Sequence, residues 1–494
     1  MLLNNQNSSD AFLFSFGRKY ILLFGWICSF TIITVIWLWA SVNPLWISLW
    51  CAFGMIALNI HTKSQRKYFA PFFMTILYFF GYLLALIYVV IHKNSFHLND
   101  RYAYILLEDL KSKDMLRLTL VLAAGLAGII CTTFVSEYFS KRTGNFSSLQ
   151  IPGKNKNVSN NKTYILICSW LVGSVLLLLC MWLLRIGRGG LSNQTILPFK
   201  LAGIMVYSRS FLIPFIGIVF LEINLNHGRT KQVWFILYSI IFIGLLGSIT
   251  AMSRSYFFYA TIPPITYLIL KEWRNNQNQR ILALSLLLCV IASVIMVSFV
   301  HNLRTTGFTG DTLSLSKLNV HDSESAIAEG ATKLVTLAVT RTIGLQELLR
   351  VYDASIHDIS APIAVFWGSD KQYLNFLLLQ VTGRKFESSD GTTSFGYGFG
   401  LWGGWFMSGS YILVFLASFV FSLLIVFVEN IFLRKGFQIC TIYLSLTLSM
   451  WTWGGIYLFF LKRAIFMIIV CYFVMIKLQK WSNPNPETIY PNVQ

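Results

Sequence analysis

Residues 163–186 read TYILICSWLVGSVLLLLCMWLLRI, a run without an acidic side chain and with one charge, Arg185, near its end. A helix that crosses the hydrocarbon core of a bilayer needs about 20 such residues. Working outward with the same ruler, apolar runs fall near 20–40, 44–60, 69–91, 118–139, 163–186, 201–223, 233–250, 255–270, 281–300, 406–428, 438–455 and 457–477. The sequence therefore predicts an all-α polytopic integral membrane protein with about twelve transmembrane helices.

Composition leads to the same place. Of 494 residues, 55% are hydrophobic and 12% charged, with a mean hydropathy of +0.63. A soluble globular chain carries roughly 25% charged residues, so too few polar side chains remain to coat a water-facing surface. The formal charge of +19 does not indicate nucleic acid, because the basic residues sit in short clusters between apolar runs rather than along one face. The cysteines Cys28, Cys51, Cys131, Cys168, Cys180, Cys289, Cys440 and Cys471 all fall inside apolar runs. Without a CxxC or a polar-loop pair they read as small core hydrophobes.

Lysine and arginine collect on alternate loops, which sets the expected orientation. With the N-terminus in the cytoplasm, inside loops hold Arg18 and Lys19; Lys63, Arg66 and Lys67; Lys141 to Lys162; Arg229 and Lys231; Lys271 to Arg280; Arg434 and Lys435; and Lys477 and Lys480. The acids Asp100, Glu108, Asp109 and Asp114, and a second group from Asp311 to Asp390, lie on the other side. Both termini are then cytoplasmic, and Arg18-Lys19 precedes an uncleaved first span. The chain divides into an N-terminal transmembrane bundle of about nine spans (1–300), a large outer loop with short helices (301–405), and C-terminal spans with a cytoplasmic tail (406–494). Within the loop, 341–352 and 371–380 have helical patterning. The segment 394–406, SFGYGFGLWGGWF, is rich in glycine and aromatics; it reads either as packing and interface anchoring or as a wall that contacts sugar rings.

The spans hold no Asp or Glu at mid-membrane depth, since Glu137, Glu222 and Glu429 lie at expected cytoplasmic ends. That lowers the case for an ion-coupled transporter. No P-loop, GxSxG or metal-ligand cluster occurs, and nothing asks for a cofactor. Arginine is what remains. Arg209 lies inside the sixth span, Arg254 at the turn between the seventh and eighth, and Arg304 just beyond the ninth after His301. Arg341 starts a loop helix, Lys462-Arg463 lie in the last apolar run, and Arg185 and Arg188 end the fifth span on the same outer side. An arginine at bilayer depth costs about 2.5–3.5 kcal/mol on insertion scales. Each can snorkel to headgroups or cap a helix end; together, with no buried carboxylate to pair with, they suit an anion such as a lipid-linked diphosphate. His301 and His357 are the outer groups able to carry a proton near neutral pH, or they are solvated loop histidines.

Three strings carry a resemblance: SITAMSRSYFF (248–258), SFGYGFGLWGGWFMSGSY (394–411) and FFLKRAIF (459–466). With the large loop between the ninth and tenth spans, they resemble O-antigen and oligosaccharide repeat-unit polymerases of the Wzy type. The resemblance implies a bacterial inner-membrane glycosyltransferase of lipopolysaccharide biosynthesis. It would extend a glycan from undecaprenyl diphosphate onto the next lipid-linked repeat unit at the periplasmic face. No metal or cofactor is implied; the partners are the lipid-linked glycan, membrane lipid and a chain-length regulator. It also implies roles: Arg254 and Arg463 on the diphosphate with Arg209 supporting, Arg304 and Arg341 on phosphate or glycan. His301 or His357 takes the acceptor hydroxyl proton beside catalytic Arg254. An O-antigen ligase acting on lipid A core shares this logic, and a lipid-linked glycan flippase is a further alternative that the asymmetric outer loop disfavours.

Overall fold

A backbone in hydrocarbon has no water to satisfy its N–H and C=O groups, so it closes them within helices. The computed structural model describes residues 44–63, 68–83, 112–142, 160–187, 198, 201–251, 255–272, 287–289, 291–292, 357–367, 400–433, 437–452 and 458–482, and among these no strand occurs. The described helices are α1 (Pro44–Lys63), α2 (Phe69–Thr75), α3 (Ser112–Arg142), α4 (Asn160–Leu183), α5 (Leu201–Tyr207), α6 (Ile213–Asn226) and α7 (Thr230–Ala251). They continue with α8 (Ser255–Glu272), α9 (Ser360–Trp367), α10 (Gly400–Phe406), α11 (Tyr411–Leu433), α12 (Gln438–Trp451) and α13 (Leu458–Ser482). A π turn extends α2 (Ile76–Phe80), and another joins α5 to α6 (Ser208–Leu212).

Among the described residues five segments are long and apolar enough to cross a membrane: Met115–Phe139, Thr163–Leu183, Leu201–Leu225, Thr230–Ala251 and Tyr411–Leu433. The protein is thus helical with membrane-spanning helices. The apolar run 20–40, most of 281–300 and the expected loop helices 341–352 and 371–380 lie outside the described residues. Where the tenth span was expected from 406, the helix opens at Tyr411 instead. Gly409 takes φ +73°, which ends the short α10 and restarts the chain.

Two compact units form, neither a continuous stretch of chain: one from Met1–Ser147, Thr336–Asn430 and Ser445–Ala464, the other from Ser148–Val335, Ile431–Leu444 and Ile465–Gln494. In the first, close helix approach is set by small residues. A methyl on Gly54 would overlap the Phe79 ring, one on Gly125 the Trp402 indole, and one on Gly128 the Phe415 carbonyl. Buried polar groups act as clips between these helices. His61 bonds Thr133 Oγ1 and Thr75 Oγ1, each at 2.8 Å, and Trp50 Nε1 donates to Thr119 Oγ1 at 2.7 Å. Glu429 of α11 accepts the Ala70 N–H at 2.6 Å and the Ser445 hydroxyl, so its carboxylate sits at the start of α2, where helix amides lack partners.

The second unit repeats that device. Glu222 of α6 accepts the N–H groups of Gln438, Ile439 at 3.0 Å and Cys440 at 3.1 Å, the opening amides of α12. Trp170 of α4 donates to the Ile213 carbonyl at 3.0 Å, and its indole lies where a side chain on Gly217 would go. Arg229 donates to Thr163 Oγ1 at 3.1 Å, so α4 runs antiparallel to α5–α6. Gly244 faces Phe257 and Gly247 faces Tyr256, which makes α7 and α8 an antiparallel pair.

Candidate functional site

The site is built where α4 ends and α5 turns into α6. Helix α4 closes with the Arg185 N–H bonded to the Trp182 carbonyl at 3.3 Å and the Ile186 N–H to Met181 at 2.9 Å. This is a Schellman ending, and its left-handed position is usually glycine. Here Arg185 holds it at φ 55°, a conformation that costs an L-residue roughly 1–2 kcal/mol. Gly187 follows at φ +65°, turning its carbonyl toward the neighbouring helix.

That carbonyl accepts from Arg209 Nη2 at 2.8 Å. Arg209 stands in the π turn just before Pro214. Proline has no N–H and crowds the carbonyl four residues back, so the wider turn relieves both problems. Such turns recur at functional positions. The guanidinium lies 5.8 Å over the Tyr256 ring, within cation–π range. It does not snorkel, being only 3% exposed. Its Nε and Nη1 have no hydrogen-bond partner among the described residues, and neither has the Tyr256 hydroxyl. A buried donor left without a partner costs about 1–3 kcal/mol, more when charged. One carbonyl and one aromatic face do not satisfy a guanidinium carrying five N–H donors.

The other candidates are distributed as follows. Arg254, His301, Arg304 and Arg341 lie outside the described residues; Arg254 is two positions along the chain from Tyr256. Arg463 stands in α13, with its side chain outside the described set. His357 is exposed and belongs to the first unit, as Arg209 does to the second. Its ring meets Phe406 edge to face at 6.2 Å and its Cβ lies 3.2 Å from where a side chain on Gly409 would begin. Among the described residues no group of three His, Cys, Asp or Glu side chains is placed to hold a metal ion.

The glycine-aromatic segment divides between its two readings. Trp402 is fully buried, stacked on Tyr78 at 4.4 Å and Tyr82 at 5.2 Å, and donates to Ser418 Oγ at 2.8 Å. Phe406 is buried too. Both are packing, and among the described aromatics of the segment only half-buried Trp405 keeps a face toward the surface. Sequence reasoning missed Tyr256 and Gly187 as the partners of Arg209, although each sits within two residues of an arginine it had singled out.

No family model, no curated protein and no solved structure matches this chain.

Proposed function

We propose that the protein is a metal-independent membrane glycosyltransferase. In this reading it polymerises undecaprenyl-diphosphate-linked oligosaccharide repeat units at the periplasmic face of the bacterial inner membrane, with both termini cytoplasmic. The observation that carries the proposal is Arg209: a buried guanidinium with Nε and Nη1 unpartnered among the described residues. A permanent cation held in a dry site with spare donors is matched to an anionic oxygen. In a protein whose helices span the bilayer, a lipid-borne phosphate is the anion that reaches such a place.

The chemistry suits that arrangement. The bond between the donor's anomeric carbon and the diphosphate oxygen breaks while an acceptor sugar hydroxyl attacks, through an oxocarbenium-like transition state. Negative charge grows on the leaving diphosphate, and donors already aimed at it stabilise the transition state without reorganisation. Arg209 serves this role, with Arg254 as a further diphosphate ligand and Arg304 on phosphate or glycan. His301 takes the proton of the attacking hydroxyl.

The test is the ladder of surface glycan in a strain lacking the protein. A single-repeat band in that strain, restored to a ladder by the wild type but not by Arg209→Ala at equal membrane abundance, is expected. An unchanged ladder in the deletion strain overturns the proposal. Loss of all attached glycan overturns polymerisation in favour of ligation or flipping.

A further inference from the structure

We propose that α9 is an interfacial helix, seated in the lipid at the membrane–water boundary through Ile359, Ile363 and Trp367. The proposal rests on the membrane-spanning helices and not on the glycan chemistry.

These three residues are 59%, 45% and 56% exposed. Their spacing of four places them on successive turns of one helix face. The opposite face is buried through Ala361, Pro362 and Val365, and Phe366 meets the Trp405 ring at 6.3 Å. No charged side chain occurs from Ile359 to Trp367, so water is a poor neighbour for the exposed stripe.

The depth of the helix follows from its anchor. The Asp358 N–H bonds the Met407 carbonyl at 3.1 Å, and His357 packs at Gly409 and Phe406. Four residues beyond Met407, at Tyr411, a helix of membrane-spanning length begins. The connecting residues form a turn closed by the Gly409 N–H on the Phe406 carbonyl at 2.8 Å and could span no more than about 14 Å even if extended, so the first turn of α9 lies near the level where that span leaves the hydrocarbon. Below this level α11 exposes Ile412, Leu416, Val420 and Phe427, side chains that require lipid around them. The apolar surface of this unit thus continues from the span to α9. Polar Asp358 and Ser360 close the N-terminal end, and Trp367 is the residue type that favours the headgroup level. A protein partner is the weaker occupant: a stable interface needs about 800 Å² per partner, far more than three side chains present.

The test uses the full chain in vesicles of phosphatidylethanolamine and phosphatidylglycerol, with a photoreactive residue placed by Ile363→p-benzoylphenylalanine. Irradiation is expected to add the mass of one phospholipid to the α9 peptide, in yield comparable to Ile412→p-benzoylphenylalanine in α11. Trp367→p-benzoylphenylalanine, aromatic for aromatic, gives the same reading should the first variant lose monodispersity. Absence of a lipid adduct at 363 and 367 while position 412 labels overturns the proposal. A crosslink to another polypeptide in native membranes, in place of lipid, overturns it as well.

Discussion

Glu222 and Arg209 lie in one run of helix, thirteen residues or about 20 Å apart, and both are buried. Their surroundings differ. Glu222 takes three backbone N–H groups from the start of α12, so the protein itself supplies what a buried carboxylate requires. Arg209 is given one carbonyl and one ring face. A buried ionisable group whose bonds all close within the chain holds the fold; one with spare donors is built for something that arrives. Glu429 in the first unit also caps a helix across a large sequence separation through Oε1, although its Oε2 has no hydrogen-bond partner among the described residues.

The largest effect expected is on Glu222→Ala. Three amides at the head of α12 lose their acceptor in an apolar setting, and each buried donor left unsatisfied costs about 1–3 kcal/mol. The thermal midpoint in detergent should fall sharply, with loss of membrane abundance. Arg209→Met should behave in the opposite way. It removes an imperfectly satisfied guanidinium and keeps its apolar length, so the midpoint stays close to wild type. Under the proposed function, polymer formation should fall about 10²–10³-fold, the usual consequence of losing one preorganised donor to a developing anion. If Arg209→Met proves as unstable as Glu222→Ala, the contrast between the two sites fails and Arg209 is only a clasp on the end of α4.

Gly187→Ala sharpens the same comparison at a smaller scale. Its φ of +65° costs an alanine roughly 1–2 kcal/mol. The new Cβ would also stand 2.5 Å from Val206 Cγ2 and 3.0 Å from Arg209 Nη2, pressing on the Val206 side chain and on the guanidinium. Both stability and product should drop, the product by less than in Arg209→Met because the charge is kept. Full activity in this variant would show that the position of Arg209 does not matter to turnover.

Part of this was legible along the chain. The run 163–186 predicts a span, and α4 occupies 160–183; the difference at its end is Arg185 turning left-handed, which no hydropathy pattern records. Arg209 stood out because a charge in an apolar run is expensive, but its burial against Gly187 and Tyr256 depends on three helices meeting. The caps could not be read at all. Glu222 bonds residues 216 to 218 positions away, and a carboxylate near a span end looks the same whether it caps a distant helix or faces water. His61, clipped between Thr75 and Thr133, is invisible for the same reason. Trp402 sits in a segment whose glycines and aromatics fit either packing or sugar contact, and only its stacking on Tyr78 and Tyr82 decides for packing.

The smallest effect concerns a cap in water, the counterpart of those in the apolar interior. Asp358 accepts the Ser360 N–H at 3.1 Å and the Ser360 hydroxyl, and these bonds hold its carboxyl below the usual aspartate value. Because the folded-state value is the lower one, its contribution to α9 is present above the ordinary aspartate range and is lost as pH falls through the folded value. Amide-exchange protection at the start of α9, corrected for intrinsic rates, should therefore be flat from neutral pH down to about pH 4, near the unperturbed value, and decline only below it. Asp358→Ala should show the reduced protection at every pH, while leaving the thermal midpoint unchanged because the cap is fully solvated and screened.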